Sequence, residues 1–122
     1  MANRNMTIVR DLIKYIVRIK EYCNNIDYDS FAANTQLHEA CVFNLFQMGE
    51  SANRLDDKFT HDYPEIPWFK IRGLRNRIAH DYEGISIEII WDIIQNDLEL
   101  LKTQLLLIKA RIADEISGAE IR

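Results

Sequence analysis

The chain has 122 residues, of which 48% are hydrophobic and 28% are charged. This length and balance predict one globular domain that buries its own core without disulfide or metal support. Glycines (4) and prolines (2) are few, which argues against a turn-rich β-sandwich or barrel and favours long helices. A net charge of −4 is unlike that of a typical nucleic-acid-binding domain. The stretch 68–80 nevertheless carries four cations and no acid, which allows a local basic patch.

The apolar residues and the cysteines indicate the compartment of the protein. No apolar run approaches the roughly 18 residues that a membrane span needs, and charges interrupt the N-terminal apolar residues every three or four positions. We therefore expect no signal peptide, no membrane partner and a cytoplasmic location. Cys23 and Cys41 match no metal-ligand or redox spacing, so we expect them to be reduced, semi-buried thiols.

Apolar residues at helical spacing predict two helices in the first half of the chain. The first runs from about residue 3 to 24, and a short helical turn follows at 30–33. The second begins after Asn34 or Thr35, because either residue can cap a helix. The apolar stripe of this second helix ends near Lys58.

Two further helices are predicted after the loop "THDYPEIP". One runs from about Pro67 to Ala79, since proline suits the first position of a helix. Ser86 caps the last helix, whose apolar residues alternate in steps of four and three, as in a heptad seam. The seam comprises Ile87, Trp91, Ile94, Leu98, Leu101, Leu105, Ile108 and Ile112. It is either the core of a bundle or a homodimer contact, and Leu106 and Leu107 widen it, so we expect burial on more than one side.

Together these elements predict an all-α fold, an antiparallel up-and-down bundle of four main helices, as one domain over residues 1–122. Gly49 and Ala52 are small, which would let a neighbouring helix approach the second helix closely. We expect the tail from about residue 116 to fray.

The stretch "GLRNRIAHDY" at residues 73–82 is the candidate site, since it gathers polar and basic side chains on the third helix. Residues four apart share a helix face, which predicts two neighbouring stripes: Arg72, Asn76 and His80, and then Arg75, Ala79 and Tyr82. The core face consists of Trp68, Ile71, Leu74 and Ile78. Arg75 and His80 are five positions apart, about 140° around an ideal helix. They converge only if the helix loosens near His80, if long side chains bend inward, or if a second subunit contributes.

The chemistry of this set suits phosphate. Arginine presents a planar, permanently charged fork to phosphate oxygens, and histidine moves protons near neutral pH. Together they could cleave RNA, with His80 assisting proton transfer and Arg75 stabilising the crowded negative charge. No carboxylate cluster has the spacing of a two-metal site. The competing interpretation is a basic helix end whose cations merely offset the macrodipole.

Other polar and aromatic residues receive simpler interpretations. His38 and His61 lie in polar surroundings, so we expect them at the surface. Glu50, Asn53 and Arg54 form a solvated face, with Glu50 or Asn53 facing the site as the alternative. Three aromatic residues flank the basic patch, and we expect core or loop anchoring, with base stacking as the alternative. They are Tyr63, Trp68 and Phe69.

The pattern Arg75, four residues, His80, one residue, Tyr82 resembles the signature of the HEPN superfamily, and more narrowly of the HepT-like toxins. The resemblance extends to "MGESANRL", "YPEIPWFKIRGLRNRIAHDYEGI" and "IIWDIIQNDLELLKTQL", about the last two-thirds of the chain. It implies an all-α bundle that forms a homodimer, in which the motifs of two subunits meet in a composite, metal-independent ribonuclease site without cofactor that leaves a cyclic phosphate.

The resemblance also implies roles for individual residues. Arg75 would stabilise the phosphate and His80 would perform the acid–base chemistry, with Asn76 orienting the site. Arg72 lies on the polar stripe of Asn76 and His80, and from that position we expect it to support the site. Tyr82 matches the tyrosine to which a cognate minimal nucleotidyltransferase antitoxin, similar to MntA, adds AMP. Two alternatives remain open: a non-catalytic nucleotide-binding or scaffolding subunit that docks the nucleotidyltransferase, and a helical dimerisation module without a ligand.

Overall fold

The computed structural model describes the backbone of residues 4–121 and the side chains of residues 4–118. Every regular element in this part of the chain is helical, so the all-α prediction is confirmed. In chain order the elements are α1 (Arg4–Tyr22), α2 (Tyr28–Ala33), α3 (Thr35–Ala52), α4 (Asp57–Asp62), α5 (Trp68–Asp81), α6 (Ile87–Asp92), a π-helical segment (Ile93–Asp97) and α7 (Leu98–Ile121). Four of these helices are long and form the bundle: α1, α3, α5 and α7.

Side-chain caps start several helices where the sequence places Asp, Asn or Ser. Asp27 accepts a hydrogen bond from the backbone N–H of Ser30 at 2.8 Å and begins α2. Asn34 accepts one from Leu37 at 3.1 Å, so Asn34 caps α3 as one of the two residues predicted for that role. The predicted cap of the last helix is confirmed, since the Ser86 hydroxyl accepts a hydrogen bond from the N–H of Glu88 at 3.1 Å.

The bundle is centred on α3, which packs between α1 and α5, while α7 packs on α1. The short α2 and α6 close one end by contacting each other and α3. The largest fully buried side chains come from α1, α2, α3, α7 and the segment before α5: Phe31, Leu12, Ile16, Ile19, Leu45, Met48, Ile66, Leu98, Leu105 and Ile108. No described helix is long and apolar enough to cross a membrane.

The heptad seam of the last helix belongs to this core. Its last six members are buried within the chain, and Ile87 and Trp91 pack partly buried against the same cluster. The core interpretation is confirmed. The homodimer interpretation of the seam is wrong, because other residues of the same chain already cover its side chains. Leu107 is 62% exposed and Leu106 is also exposed, so the expected burial on a second side is not found within the chain.

Two helix boundaries differ from the prediction. The second long helix ends at Ala52 and not near Lys58, and α4 then takes up residues 57–62, part of the expected loop. The break coincides with Arg72, which reaches over from α5 and hydrogen-bonds the carbonyls of Ala52 and Leu55. A carbonyl satisfied in this way does not need a further turn of helix.

The last helix is not the regular element that the seam predicts, because a π-helical segment separates α6 from α7. A π turn contains one more residue than an α-helical turn. Three residues that follow one another at intervals of four can therefore all face the core. These residues are Ile90, Ile94 and Leu98, all buried. Beyond residue 116 the helix continues to Ile121, and the fraying of the tail stays a prediction.

The two cysteines meet across the bundle. Cys23, just after α1, and Cys41, within α3, are both buried free thiols with their sulfurs 3.6 Å apart. They are therefore more deeply buried than the semi-buried thiols that we expected. Hydrogen bonding to Cys23, together with burial, raises the pKa of Cys41 well above its ordinary value, which keeps this thiol protonated.

Candidate functional site

The candidate site lies on α5, which is fixed by a close approach to α3. A Cβ atom added at Gly49 would lie 2.5 Å from the Cβ and 2.7 Å from the backbone nitrogen of Arg75. Gly49 therefore confirms the expected close approach of a neighbouring helix. On the core side of α5, Trp68, Ile71 and Ile78 are buried, which confirms most of the predicted core face.

The side chain of Arg75 is held between α3 and α5. Its Nε donates to a carboxylate oxygen of Glu50 at 2.5 Å, and a terminal nitrogen donates to the Oδ1 of Asn76 at 3.4 Å. The guanidinium also lies 5.9 Å from the ring centroid of Phe46, within cation–π range. These contacts use only part of the five-donor fork, and the side chain is 36% exposed, so it retains donors for an anion.

Glu50 and Phe46 are therefore neighbours of the site that the sequence did not establish. For Glu50, facing the site is only the alternative interpretation in the sequence, and the helical spacing of Phe46 predicts an apolar stripe on α3 and no contact with Arg75. The sequence does contain one indication of this arrangement. Phe46 and Glu50 are four positions apart, so they share a face of α3 in the same helical turn as Gly49. The exposed Asn53 ends α3 and makes backbone hydrogen bonds there.

Arg72 lies in a different environment from that of the rest of its predicted stripe. Its Nε donates to the carbonyl of Ala52 at 3.2 Å and a terminal nitrogen to that of Leu55 at 3.5 Å. The guanidinium thus closes the C-terminal end of α3, where carbonyls lack intrahelical partners and a cation offsets the dipole. A supporting role of Arg72 at phosphate remains a prediction.

His80 and Tyr82 lie at the solvent-exposed end of α5. His80 is exposed in the last turn, and Tyr82, the residue that ends the helix, is 49% exposed. α5 is an uninterrupted α-helix from Trp68 to Asp81, so loosening before His80 is not the route by which Arg75 and His80 converge. Bending of the side chains and a contribution from a second subunit remain.

The outward face of α5 forms a narrow stripe. Its members lie within about 60° of arc on an ideal helix: Phe69, Gly73, Asn76 and His80. Phe69 is 90% exposed, so the expected core or loop anchoring is wrong for this residue. It is confirmed for Tyr63 and Trp68, which are buried and joined by a hydrogen bond from the indole N–H to the Tyr63 carbonyl.

An apolar groove of about 510 Å³ runs beside this stripe, between α5 and the helix formed by the π segment and α7. Gly73 and Leu74 line one wall, and Leu100 and Leu101 line the other. The charged side chains along the groove include Lys70, Arg77 and Asp97. In the described part of the chain, no three His, Cys, Asp or Glu side chains are grouped to hold a metal ion.

The remaining histidines lie away from this face. His61 is exposed on α4, as expected. His38 is instead partly buried, with its ring 6.0 Å from that of Phe31, so the expectation of a surface residue is wrong for it. His38 lies in the first turn of α3, and its ring is therefore close to that of the core residue Phe31 in α2.

Comparison with known proteins assigns the chain to a family. The profile of the family described as "Ribonuclease HepT-like" matches residues 12–108. A Methanocaldococcus jannaschii protein named "Putative RNase" is 33% identical over 86 residues, 70% of this chain and 71% of that protein. A second so-named protein of that organism is 28% identical over 105 residues, 85% of this chain and 96% of its own.

A third relative carries the family name itself. The "Probable ribonuclease HepT" of Thermococcus cleftensis is 24% identical over 102 residues, 84% of this chain and 93% of that protein. No solved structure gives a significant match. The family profile covers the helices that build the site, from within α1 to within α7. This chain therefore belongs to the HepT-like ribonuclease family of the HEPN superfamily.

Proposed function

We propose that this protein is a metal-independent endoribonuclease whose reaction is carried out by Arg75 and His80. The observation that carries the proposal is the arrangement of these two residues on the straight helix α5. Arg75 is anchored to Glu50 and keeps donors for phosphate, while His80 is exposed five residues further on. Membership of a ribonuclease family, and relatives named as ribonucleases, support the same chemistry.

The reaction that fits these groups is an intramolecular transesterification of RNA. The 2′-hydroxyl attacks the neighbouring phosphorus, the bond to the 5′-oxygen of the next nucleotide breaks, and a 2′,3′-cyclic phosphate and a 5′-hydroxyl result. A proton leaves the 2′-oxygen and a proton reaches the departing 5′-oxygen, and His80 assists one of these transfers. Arg75 stabilises the extra negative charge on the phosphorane-like state through its remaining N–H groups.

The charge distribution on α5 reconciles this proposal with an acidic protein. The chain carries a net charge of −4, but α5 has Lys70, Arg72, Arg75 and Arg77 and no acid before its last residue, Asp81. Glu50 offsets one of these cations. A local cluster of this kind attracts the phosphate backbone of RNA over short range, where screening by salt is least complete.

The fuller biological proposal is that the enzyme is the toxin of a toxin–antitoxin pair and acts as a homodimer in the cytoplasm. A second subunit would supply the approach of Arg75 and His80 that one straight helix does not provide. The antitoxin is a minimal nucleotidyltransferase, similar to MntA, that adds AMP to Tyr82. Tyr82, at the end of α5, is 49% exposed, and a bulky, anionic AMP beside His80 would repel RNA.

A cleavage assay tests the enzymatic proposal. A fluorescent single-stranded RNA is incubated with the protein in a buffer that contains a chelator to remove metal ions. The products are then examined for a cyclic phosphate. We expect cleavage by the wild type and a loss of at least about 100-fold in Arg75→Ala and in His80→Ala. The matched controls Arg18→Ala and His61→Ala remove exposed residues of the same types from α1 and α4 and should retain activity. Undiminished cleavage by either site variant would refute the assigned roles.

The same assay separates the enzyme from its rival, a non-catalytic subunit that docks a nucleotidyltransferase. RNA that stays intact at every protein concentration favours the rival. For the antitoxin, purified nucleotidyltransferase and ATP should increase the mass of the wild type by one AMP group and leave Tyr82→Phe unchanged. Modification of Tyr82→Phe to the same extent would show that the acceptor is elsewhere.

A further inference from the structure

Cys23 and Cys41 are two nucleophilic side chains that the proposed RNA chemistry does not use. They are 18 positions apart in the chain, yet their sulfurs lie 3.6 Å from each other. A disulfide bond needs sulfurs about 2.0 Å apart, so the two atoms have to approach by only about 1.5 Å. Among the described residues, no group of three potential metal ligands includes either thiol, so the pair lacks the four ligands of a structural zinc site. The geometry therefore favours a reaction between the thiols themselves.

The backbone holds the two cysteines in different ways. Cys41 lies in the second turn of α3, the helix that packs between α1 and α5, and its side chain is fully buried. Cys23 instead follows the last residue of α1 and belongs to a turn. Asn25, two residues on, has a φ of 59°, the left-handed conformation that asparagine tolerates where the chain reverses. A turn moves more readily than the middle of a packed helix, so Cys23 supplies the small shift that a bond requires.

Cys23 is also the thiol that a small oxidant can reach. A surface cavity of about 260 Å³ lies beside the turn, and Cys23 lines it together with Lys20, Asn24 and Gln95. The Cys23 side chain keeps a small exposed fraction, whereas Cys41 has none. Hydrogen peroxide is little larger than a water molecule and fits such a cavity. We therefore expect peroxide to meet Cys23 first.

The hydrogen bond between the two sulfurs favours the same order. When the Cys41 thiol donates to the sulfur of Cys23, it stabilises the Cys23 thiolate and lowers the pKa of Cys23, although burial acts in the opposite direction. The same contact and burial raise the pKa of Cys41. The thiolate is the form that attacks an oxidant, so the more accessible sulfur is also the one more often in the reactive form.

We propose that Cys23 and Cys41 form a peroxide-responsive pair that closes a reversible disulfide bond between the end of α1 and α3. The Cys23 thiolate attacks one oxygen of hydrogen peroxide and becomes a sulfenic acid, while the O–O bond breaks. The released hydroxide takes up the proton that the Cys23 thiol had lost, which gives water. The sulfur of Cys41 then attacks the sulfur of Cys23, the S–O bond breaks, and the hydroxyl group leaves with the Cys41 proton as a second water. Two thiols are thereby oxidised to one disulfide, and one peroxide is reduced.

The bond would stabilise the end of the bundle that α2 and α6 close. Residues 23–41 form the cross-linked loop, which contains α2, and α2 contacts both α3 and α6. Closing a loop of this length removes conformations chiefly from the unfolded chain. We therefore expect a higher urea midpoint after oxidation, and a return to the original midpoint in the thiol reductant dithiothreitol. This inference concerns the fold and does not depend on RNA cleavage.

Mass spectrometry of the wild type tests the bond directly. The folded protein is treated with hydrogen peroxide, the remaining peroxide is destroyed with catalase, and the protein is digested without reductant. We expect a peptide pair linked through Cys23 and Cys41, a protein lighter by two hydrogen atoms, and recovery of both thiols in dithiothreitol. Folded protein in which both cysteines remain thiols, or in which they reach sulfinic acids without cross-linking, would overturn the proposal. A cross-linked protein with an unchanged urea midpoint would contradict the stabilising effect.

Two alanine variants test which thiol reacts first. In Cys41→Ala the sulfenic acid at Cys23 has no partner, so it should persist and be trapped by dimedone, a reagent selective for sulfenic acids. In Cys23→Ala the buried Cys41 should be labelled at least about tenfold more slowly. Equal labelling of the two variants, or labelling of Cys41 alone, contradicts the assignment of Cys23 as the attacking thiol. Circular dichroism establishes that each variant is folded, and peroxide should leave the urea midpoint of both variants unchanged.

Discussion

Gly49 and Arg75 meet where α3 and α5 come closest. An added Cβ on Gly49 would lie 2.5 Å from the Cβ of Arg75 and 3.0 Å from its Cα, distances that real side chains do not adopt. The absence of a side chain at one residue therefore fixes the position of the other. Arg75 also forms a hydrogen bond with Glu50, the residue after Gly49. One turn of α3 therefore determines both how closely the backbone of Arg75 approaches α3 and where its side chain points.

We predict that Gly49→Ala destabilises the protein and displaces Arg75. The methyl group meets backbone atoms, which cannot rotate away, and overpacking of this kind costs about 1–3 kcal/mol, offset by up to about 1 kcal/mol of helix propensity. The free energy of unfolding in urea should therefore fall by about 1–2 kcal/mol, and RNA cleavage should fall with it. Gly118→Ala is the control, because a Cβ there meets nothing within 4 Å. If both alanine variants are as stable as the wild type, the close approach is not a constraint.

Arg72→Ala should affect stability more than chemistry. It removes hydrogen bonds to the carbonyls of Ala52 and Leu55, and bonds from a charged group contribute about 1.5–3 kcal/mol when buried. Since Arg72 is only partly buried, we expect a loss of about 1 kcal/mol in the free energy of unfolding. At saturating RNA, cleavage should stay within a few-fold of that of the wild type. Arg10→Ala, an exposed change on α1, is the reference, and a collapse of the cleavage rate without loss of stability would place Arg72 in the site.

The sequence was a good guide where periodicity decides the structure and a poor one where a distant contact does. The all-α bundle, the buried seam of the last helix and the Ser86 cap follow from local spacing and capping chemistry. The end of α3 at Ala52 coincides instead with a contact from Arg72, 20 residues further along the chain. Helical periodicity in residues 53–58 could not reveal that contact.

The candidate site shows the same division. The motif located Arg75 and His80 on one helix, and the structure brings Glu50 and Phe46 to Arg75 because Gly49 lets α5 approach. Phe69 was misjudged because aromatic residues beside a core face are usually buried, whereas its position on the helix turns it outward. Which residues meet across two helices depends on their packing, and spacing within one helix does not determine it.

Asp27 makes part of the stability depend on pH. Hydrogen bonding from the backbone N–H of Ser30 lowers the pKa of this carboxyl, which caps α2. A group whose pKa is lower in the folded state stabilises the fold above its unfolded pKa, and the contribution disappears as the pH falls through the folded value. Asp27→Asn retains a capping oxygen without titrating. The denaturant midpoint of the wild type should thus fall relative to that of Asp27→Asn below about pH 4, and an unchanging difference would contradict the linkage.

Glu50 is predicted to act as a positioning residue through Arg75. It bonds the arginine Nε at 2.5 Å while other N–H groups of the fork remain for a ligand. In Glu50→Ala the guanidinium loses its anchor and disperses among rotamers, and misplacement of a charge-stabilising group by about 1 Å can cost up to about 100-fold in rate. We therefore expect kcat for RNA cleavage to fall about 10- to 100-fold, whereas KM should fall at low salt because the negative charge is lost.

Glu50→Gln distinguishes positioning from a merely structural contribution. The amide oxygen still accepts the Arg75 hydrogen bond, so kcat should recover to within about threefold of that of the wild type, although the negative charge is gone. Loss of that charge makes the cleft more cationic, so KM should fall at low salt and the effect should shrink as salt screens it. A loss of kcat in Glu50→Gln as large as in Glu50→Ala would instead assign Glu50 a role that needs its charge, such as proton transfer.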